Sequence, residues 1–438
     1  MTRTDTPDPS AARATIDPAA GPAPFAGRRA ALLLGALFLV SLIAQIDRML
    51  PFILAEAIRA DLSLSDTQIG LMTGIAFALC YALLSLPMAR LADRGSPRGV
   101  LLACATVWSA MTALGGLATG FATLAASRFG VALGEAGAMP SSHALIARRL
   151  PPARRGLAIG IFSMGIPLGT MIGFGAGGAL SEAHGWRAVL LGAGALGAIV
   201  GLLAYVAAGP APRVARTVAG APGAGSSRAL VALPAFRAIL VAAVCIGFAS
   251  APFYAFAATF LIRAHGLSAT QAGLAFGLLQ GGLGIVGTLL GGRGFDAAVR
   301  AGAPTLLRAP ALAFFLAAGA TAAALFVPDR RLAILLLTPA MFAFAFTLPF
   351  AFGAAHRVAG AGSEAMASSL ALVASGLLGP ALGPLIVGAV SDRARDAGVA
   401  NGLGVALLVV PLACAATAVA CLGVDRRLAA ARRRAVAL

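Results

Sequence analysis

Stretches of mostly apolar residues long enough to cross a bilayer occur twelve times along this chain. Six lie near residues 29–54, 67–89, 99–119, 122–147, 156–181 and 187–208, and six near 238–262, 269–291, 304–326, 332–354, 365–390 and 402–424. A helix of about 20 such residues crosses the hydrocarbon core. The expectation is an all-α membrane protein with twelve transmembrane helices. Composition points the same way: 59% of the 438 residues are hydrophobic and 11% are charged, where a soluble domain carries about 25%. So little polar surface cannot coat a soluble globule.

The spans divide six and six. Between them, residues 209–237 are rich in Pro, Gly, Ala, Ser and Arg, cannot span, and read as a cytoplasmic linker. The expected organisation is a disordered tail over 1–28, an N-terminal half over 29–208, the linker, a C-terminal half over 238–424 and a basic tail over 425–438. Orientation follows from charge, because arginine-rich loops stay in the cytoplasm. With a cytoplasmic N-terminus, 24 of the 33 basic residues, all of them arginine, fall inside and 7 outside, leaving Arg48 and Arg128 within spans. Both termini are therefore expected in the cytoplasm. The net charge of +17 is spread in short clusters between spans, not gathered on one polar face, which argues against nucleic acid as a partner. The first residues lack the basic start and apolar run of a signal peptide. Cys80, Cys104, Cys245, Cys414 and Cys421 lie within spans without a C-x-x-C pair, so neither a disulfide frame nor a metal site is expected.

The charges inside the spans point to function. Span 1 carries Asp47 and Arg48 in AQIDRML, and span 4 carries Arg128 and Glu135 in ASRFGVALGEAG (Ala126–Gly137). Seven residues make almost two helical turns, so Arg128 and Glu135 share a face. A charge at membrane depth costs at least ~2.5 kcal/mol and survives only against protein or a water-filled cavity. The helical rise puts Asp47, Arg48 and Arg128 near one another in the outer half of the bilayer, with Glu135 nearer the middle. Asp47 is expected to pair with an arginine, leaving Arg48 or Arg128 to meet an anionic group. Asp47 and Glu135 are the expected proton carriers, since an apolar lining disfavours a charged carboxylate. Ser142 continues the Arg128–Glu135 face, and Tyr254 with its neighbouring phenylalanines offers an apolar lining from span 7. Glu56 is expected at the outer mouth. The competing reading is a static buried ion pair that only fixes helix packing.

The halves echo each other. RLADRGSPRG (Arg90–Gly99) follows span 2 and GGRGFDAAVR (Gly291–Arg300) follows span 8, with Asp93 and Asp296 in matching places. Span 5 carries Gly160, Gly165, Gly169, Gly173 and Gly177, and Pro167, Pro380 and Pro384 can bend spans 5 and 11. This pattern suits a seam on which the halves rock, and equally ordinary small-residue packing.

Twelve spans split six and six, the acidic-arginine loop and the Gly-Pro-rich span 5 together resemble the major facilitator superfamily over about residues 28–425. The family's loop pattern is roughly G-x-x-x-D-R-x-G-R-R. Here Ala89 stands at the first glycine and the later part runs Gly95-Ser96-Pro97-Arg98, while the Asp93-Arg94 core is kept. Asp93, Arg94 and Arg98 are thereby expected to form a gating loop that latches the inner end; a surface ion pair is the alternative. Asp296, which lacks the following arginine, is its degenerate echo. Asp47-Arg48, LSLSDTQIG (Leu62–Gly70), SRFGVALGEAG and PPARRGLAIGIFSMGIPLG (Pro151–Gly169) resemble the spinster-type branch. That branch is associated with export of lysophospholipids and sphingosine-1-phosphate.

The resemblance implies a proton-linked secondary active transporter with alternating access in a bacterial inner membrane. It implies a lipid-like or amphipathic organic anion as substrate, in contact with Arg48, Arg128, Ser142 and Tyr254. A proton-linked carrier of small water-soluble organic acids or drugs is the alternative. No H-E-x-x-H, hydrolytic carboxylate pair or phosphate-cradling loop occurs, so no enzyme activity, cofactor or catalytic residue is expected. The expected partners are the small-molecule or lysolipid substrate, protons and membrane lipids, with the protein a monomer.

Overall fold

A computed structural model of the chain describes Phe25 and residues 27–210, 227–303, 305–360 and 363–436. Most of the expected tail 1–28, and residues 211–226 of the expected linker, lie outside the described residues. The N-terminal half consists of α1 (Gly27–Ile53), α2 (Ala55–Asp61), α3 (Asp66–Thr73), α4 (Ile75–Arg94), α5 (Pro97–Gly116), α6 (Phe121–Arg149), α7 (Pro152–Ser163) and α8 (Gly165–Ala208). The C-terminal half consists of α9 (Ser227–Ala232), α10 (Pro234–His265), α11 (Ala269–Arg300), α12 (Arg308–Ala324), α13 (Arg330–Ala359), α14 (Glu364–Asp396), α15 (Gly402–Ala406) and α16 (Val409–Val436).

These sixteen helices make twelve passes. Span 2 is α3 plus α4, bent at Gly74, and span 12 is α15 plus α16. Span 5 is α7 plus the first part of α8. Gly185, at φ 80°, breaks α8 and begins span 6, a backbone conformation that glycine adopts without penalty. The short α2 and α9 were not anticipated. Helices also outrun their expected ends: α11 reaches Arg300, α13 Ala359 and α16 Val436. Apolar composition marks the lipid slab, and intrahelical hydrogen bonds carry the backbone on beyond it.

The start of α1 and the ends of α6 and α8 lie at one face of the bundle, here the terminal end: Phe25 donates to the carbonyl of Arg149, and Arg149 donates to those of Gly209 and Pro210. Near the end of the described chain, Arg427 of α16 donates to the Pro234 carbonyl at the start of α10. The halves share a pattern of packing: α1 on α8 matches α10 on α14, α5 on α6 matches α12 on α13, and α4 on α6 matches α11 on α13. Contacts across the halves are likewise paired, α11 on α8 and α14 on α3.

The glycine stripe of span 5 does not form the seam between the halves. Gly165, Gly169, Gly173 and Gly177 face Ser41, Leu42, Ile46, Met49 and Leu50 of α1, within the N-terminal half. Of the alternatives, small-residue packing describes these four, and Gly160 has nothing near it. The seam uses other glycines. A methyl at Gly70 would overlap the Pro384 carbonyl, one at Gly388 the Asp66 carbonyl, one at Gly273 the Phe174 carbonyl and one at Gly178 the Ala269 carbonyl. All four lie toward the end remote from the termini, the far end.

The apolar core follows this closure. One cluster joins Leu50, Ile53, Ile69, Met72 and Phe174 of the N-terminal half to Phe253, Phe276 and Val387 of the C-terminal half. A second cluster, around Leu37, Leu101, Trp108 and Val131, belongs to the N-terminal half alone. The named contacts between the halves thus lie toward the far end.

Within the N-terminal half, α6 crosses α5 at Gly134, where an added methyl would lie 2.5 Å from the Trp108 nitrogen and 2.7 Å from the Cys104 carbonyl oxygen. Overpacking of this kind costs about 1–3 kcal/mol. Gly134→Ala is expected to lower the melting temperature of the detergent-solubilised protein by several degrees. Gly35→Ala, whose methyl would meet nothing within 4 Å, should leave it unchanged or raise it.

Candidate functional site

The structure brings all four intramembrane charges together. Arg48 donates to Glu135 Oε2 from Nε at 3.0 Å and from Nη2 at 2.5 Å. Arg128 stands 3.8 Å from Asp47, whose other oxygen accepts from the Thr112 hydroxyl at 2.7 Å. Adjacent residues on a helix point about 100° apart. Asp47 therefore turns back toward α5 and the upper part of α6, while Arg48 reaches Glu135. Beneath the arginines lies an aromatic floor from α4: Phe77 and Tyr81, four residues apart, stack with ring centroids 5.7 Å apart. The Arg48 guanidinium carbon sits 5.1 Å from the Phe77 centroid and 5.2 Å from that of Tyr81, and Arg128 sits 5.7 Å from Phe77. Such cation–π contacts are each worth about 0.5–2 kcal/mol.

Exposure separates the four. Arg48 keeps 31% of its side-chain surface, against 7% for Arg128, 3% for Asp47 and 1% for Glu135. Arg48 borders a cleft of about 50 Å³ with Gln45, Tyr81, Glu135, Met139 and Phe162. The network also has spare capacity, because Asp47 Oδ2, Glu135 Oε1 and Arg128 Nε are buried without a hydrogen-bond partner among the described residues.

The other expected residues lie apart from this cluster. Ser142 is buried, its hydroxyl donating to the Ala138 carbonyl of the same helix. Tyr254 lies in the opposite half, edge-on to Phe253 and Phe344. Asp93 and Arg94 close the last turn of α4, and their side chains lie outside the described residues. Arg98 is held within its own half, donating to the Tyr205 hydroxyl at 3.0 Å and covering its ring. Asp296 is exposed on α11. Sequence reasoning missed Thr112, Phe77 and Tyr81. It also missed Arg148, which donates to the carbonyls of Gly95 and Ala92 at the end of α4. Gln45 of α1 donates to the Thr170 hydroxyl of α8 at 3.0 Å.

A second charged cluster ties the halves at the far end. Arg263 of α10 grips Asp66 through both terminal nitrogens, at 2.8 and 2.7 Å, and reaches Glu56 at 2.5 Å. Ser391 of α14 donates to Asp66 at 2.7 Å. Glu56 thus lies at a mouth of the bundle. Burial by itself raises the Asp66 pKa, but the bonds and charge of Arg263, with the Ser391 bond, outweigh it and hold the carboxyl below its ordinary 3.8.

Two predictions follow from this geometry. Arg128→Ala leaves Asp47 buried without its cation, a loss of about 3–5 kcal/mol for a broken buried pair. A marked fall in melting temperature is expected, and adding Asp47→Asn should recover most of it. At the far end, a pKa depressed in the closed state favours closure above the ordinary carboxylate value, and that contribution disappears as pH falls through the depressed one. The Asp66 contribution to closure, read as the difference in far-end spin-label distances between wild type and Asp66→Asn, should stay constant from pH 8 to about pH 5 and weaken only below about pH 4. Its disappearance between pH 7 and 6 would refute the assignment.

Comparison with known proteins agrees with this architecture. The family model of the Major Facilitator Superfamily matches residues 37–384. An MFS-type efflux pump of Mycolicibacterium smegmatis is 34% identical over 388 residues, 87% of this chain and 89% of the relative. A probable sulfoacetate transporter of Cupriavidus necator, SauU, is 34% identical over 168 residues, 38% of this chain and 39% of the relative. Crystal structures of a bacterial homolog of the human lysosomal transporter Spinster, inward-facing in both unoccupied and occupied forms, superpose with a TM-score of 0.79 at 28% identity, covering 93% of this chain and 98% of theirs. The chain belongs to the Major Facilitator Superfamily, and is an integral membrane transporter and not an enzyme.

Proposed function

We propose that this transporter works by alternating access in a bacterial inner membrane, with both termini cytoplasmic, and couples protons to the movement of an amphipathic organic anion of the lysophospholipid type. The observation that carries the reading is the exposure of Arg48 above a buried Glu135. The quartet as a whole is neutral, with two guanidinium groups and two carboxylates. An anion arriving at Arg48 competes with Glu135 for the same nitrogens. A proton on Glu135 removes that competition and leaves the quartet with one positive charge, which the anionic headgroup then balances. Loss of the proton restores the Arg48–Glu135 pair and expels the anion. Asp47 is the second proton site, Arg128 holds it in place and adds positive potential near the headgroup, and Ser142 keeps α6 packed behind the quartet.

The apolar part of the substrate lies against Tyr254 of the C-terminal half. With the termini cytoplasmic, the closed far end faces outward, which suits the likeness to inward-facing Spinster-homolog structures. Asp93 and Arg94, at the end of α4, latch that end when the far end opens. Arg98 fixes their loop to the N-terminal half, and Asp296 makes a weaker counterpart on α11. The protein acts as a monomer.

The partial likeness to a sulfoacetate transporter favours a second reading. In it, the same Arg48–Glu135 exchange carries a small water-soluble organic anion.

The test is uptake of labelled lysophospholipid, and separately of sulfoacetate, into proteoliposomes with and without an imposed pH gradient. Arg48→Ala should lower uptake at least about tenfold, since truncating a hydrogen-bonded charge in a desolvated site costs about 2–5 kcal/mol. Glu135→Gln should abolish the response to the gradient. Sulfoacetate uptake without lysophospholipid uptake would select the second reading, and gradient-driven transport by Glu135→Gln would end the proton role.

A further inference from the structure

The far-end closure contains one contact made twice. Span 2 begins Leu64-Ser65-Asp66-Thr67-Gln68-Ile69-Gly70, and span 8 begins Leu267-Ser268-Ala269-Thr270-Gln271-Ala272-Gly273. In each, the serine is the N-cap of a capping box closed by the glutamine three residues on. The box leaves the first N–H groups of the helix unpaired within it, and a carboxylate from the opposite half takes them. Asp392 of α14 accepts from the nitrogens of Asp66 and Thr67 at 3.0 and 2.8 Å and from the Thr67 hydroxyl at 2.6 Å. Glu182 of α8 accepts from the Thr270 nitrogen at 3.0 Å and from the Thr270 hydroxyl.

The backbone around the two contacts also matches. Each carboxylate follows by four residues a glycine, Gly388 or Gly178, set against the carbonyl of the first helical residue, Asp66 or Ala269. Four residues before each of these glycines stands a carbonyl, Pro384 or Phe174, set against the glycine that ends the repeated sequence, Gly70 or Gly273. The pairing is reciprocal. The C-terminal half caps a helix of the N-terminal half, and the N-terminal half caps a helix of the C-terminal half.

We infer that Asp392 and Glu182 are a matched pair of latches, each a carboxylate of one half capping a helix of the other, and that both must release for the far end to open. Neither touches the intramembrane charges, so they set the balance between open and closed forms without contributing to substrate contact. The inference rests on alternating access as proposed above, but on no substrate or coupling ion. The two latches differ in surroundings. Asp392 also binds Arg395 and stands beside the Asp66–Arg263 pair, whereas Glu182 is exposed. Salt should therefore weaken the Glu182 latch more.

Asp392→Asn and Glu182→Gln test this, since the amides keep the shape and remove the charge. Spin labels at Thr119→Cys and Pro328→Cys, exposed far-end sites in opposite halves, report opening by double electron–electron resonance in a background lacking the five native cysteines. A carboxylate at a helix N-terminus favours the capped state by about twofold to fivefold. Each amide should raise the ratio of open to closed distances by about that factor, and the double variant by roughly the product of the two. Unchanged distances in both single variants, or a double variant no more open than the stronger single, would overturn the inference. Transport is not read, so failure of the lysophospholipid assay and failure of this one are separate results.

Discussion

Four charges persist inside the lipid-facing part of this molecule because they cancel. Arg48 with Glu135 and Arg128 with Asp47 make two ion pairs between α1 and α6, with Thr112 of α5 filling one remaining oxygen. Removal of any one member would leave a bare charge where water is scarce, so the pairs fix how α1 lies against α6. The same cancellation makes the cluster responsive. A neutral network in a poorly screened site changes its net charge with every proton or anion it takes, and no distant counterion compensates. Packing and chemistry are in this sense one interaction.

The two pairs are unequal in a way that divides the labour. The Asp47–Arg128 pair is enclosed by protein. The Arg48–Glu135 pair has one member at the wall of the cleft and the other behind it. The aromatic floor of Phe77 and Tyr81 presents its π faces to the Arg48 guanidinium. Far from this site, the closure between halves is built mainly from backbone contacts at glycines and from capped helix ends. Such contacts are stiff and directional, so they separate as a set.

Much of this was legible in the chain. The twelve spans follow from apolar length, and the meeting of Asp47, Arg48, Arg128 and Glu135 follows from helical rise and the cost of buried charge. Which arginine serves which carboxylate does not follow, because it depends on how α1 and α6 are rotated about their axes, and neighbouring residues 47 and 48 diverge around the helix. Thr112, Phe77 and Tyr81 carried no signal, since a threonine and two aromatics in apolar helices are ordinary. The stripe of Gly165, Gly169, Gly173 and Gly177 was a true packing signal with an ambiguous partner, and it faces α1 instead of the other half. The sequence repeated at Ser65 and Ser268 is visible by eye. Its meaning is not, because the carboxylates that complete it stand more than eighty residues away in either case.

Helix α6 joins the site to the loop at the terminal end. It carries Arg128 and Glu135, then runs to Arg148, whose guanidinium holds the carbonyls of Ala92 and Gly95 on either side of Asp93 and Arg94. From Arg128 to Arg148 is about 30 Å at the rise of an α-helix. The span is interrupted only by Pro140, a point where such a rod can flex. Under the proposed function the helix is a lever with the substrate chemistry on one arm and the loop on the other. A rotation of α6 that accompanied a change of partner at Arg48 would drag that turn, so on this reading occupancy of the cleft and the posture of the loop are mechanically one variable.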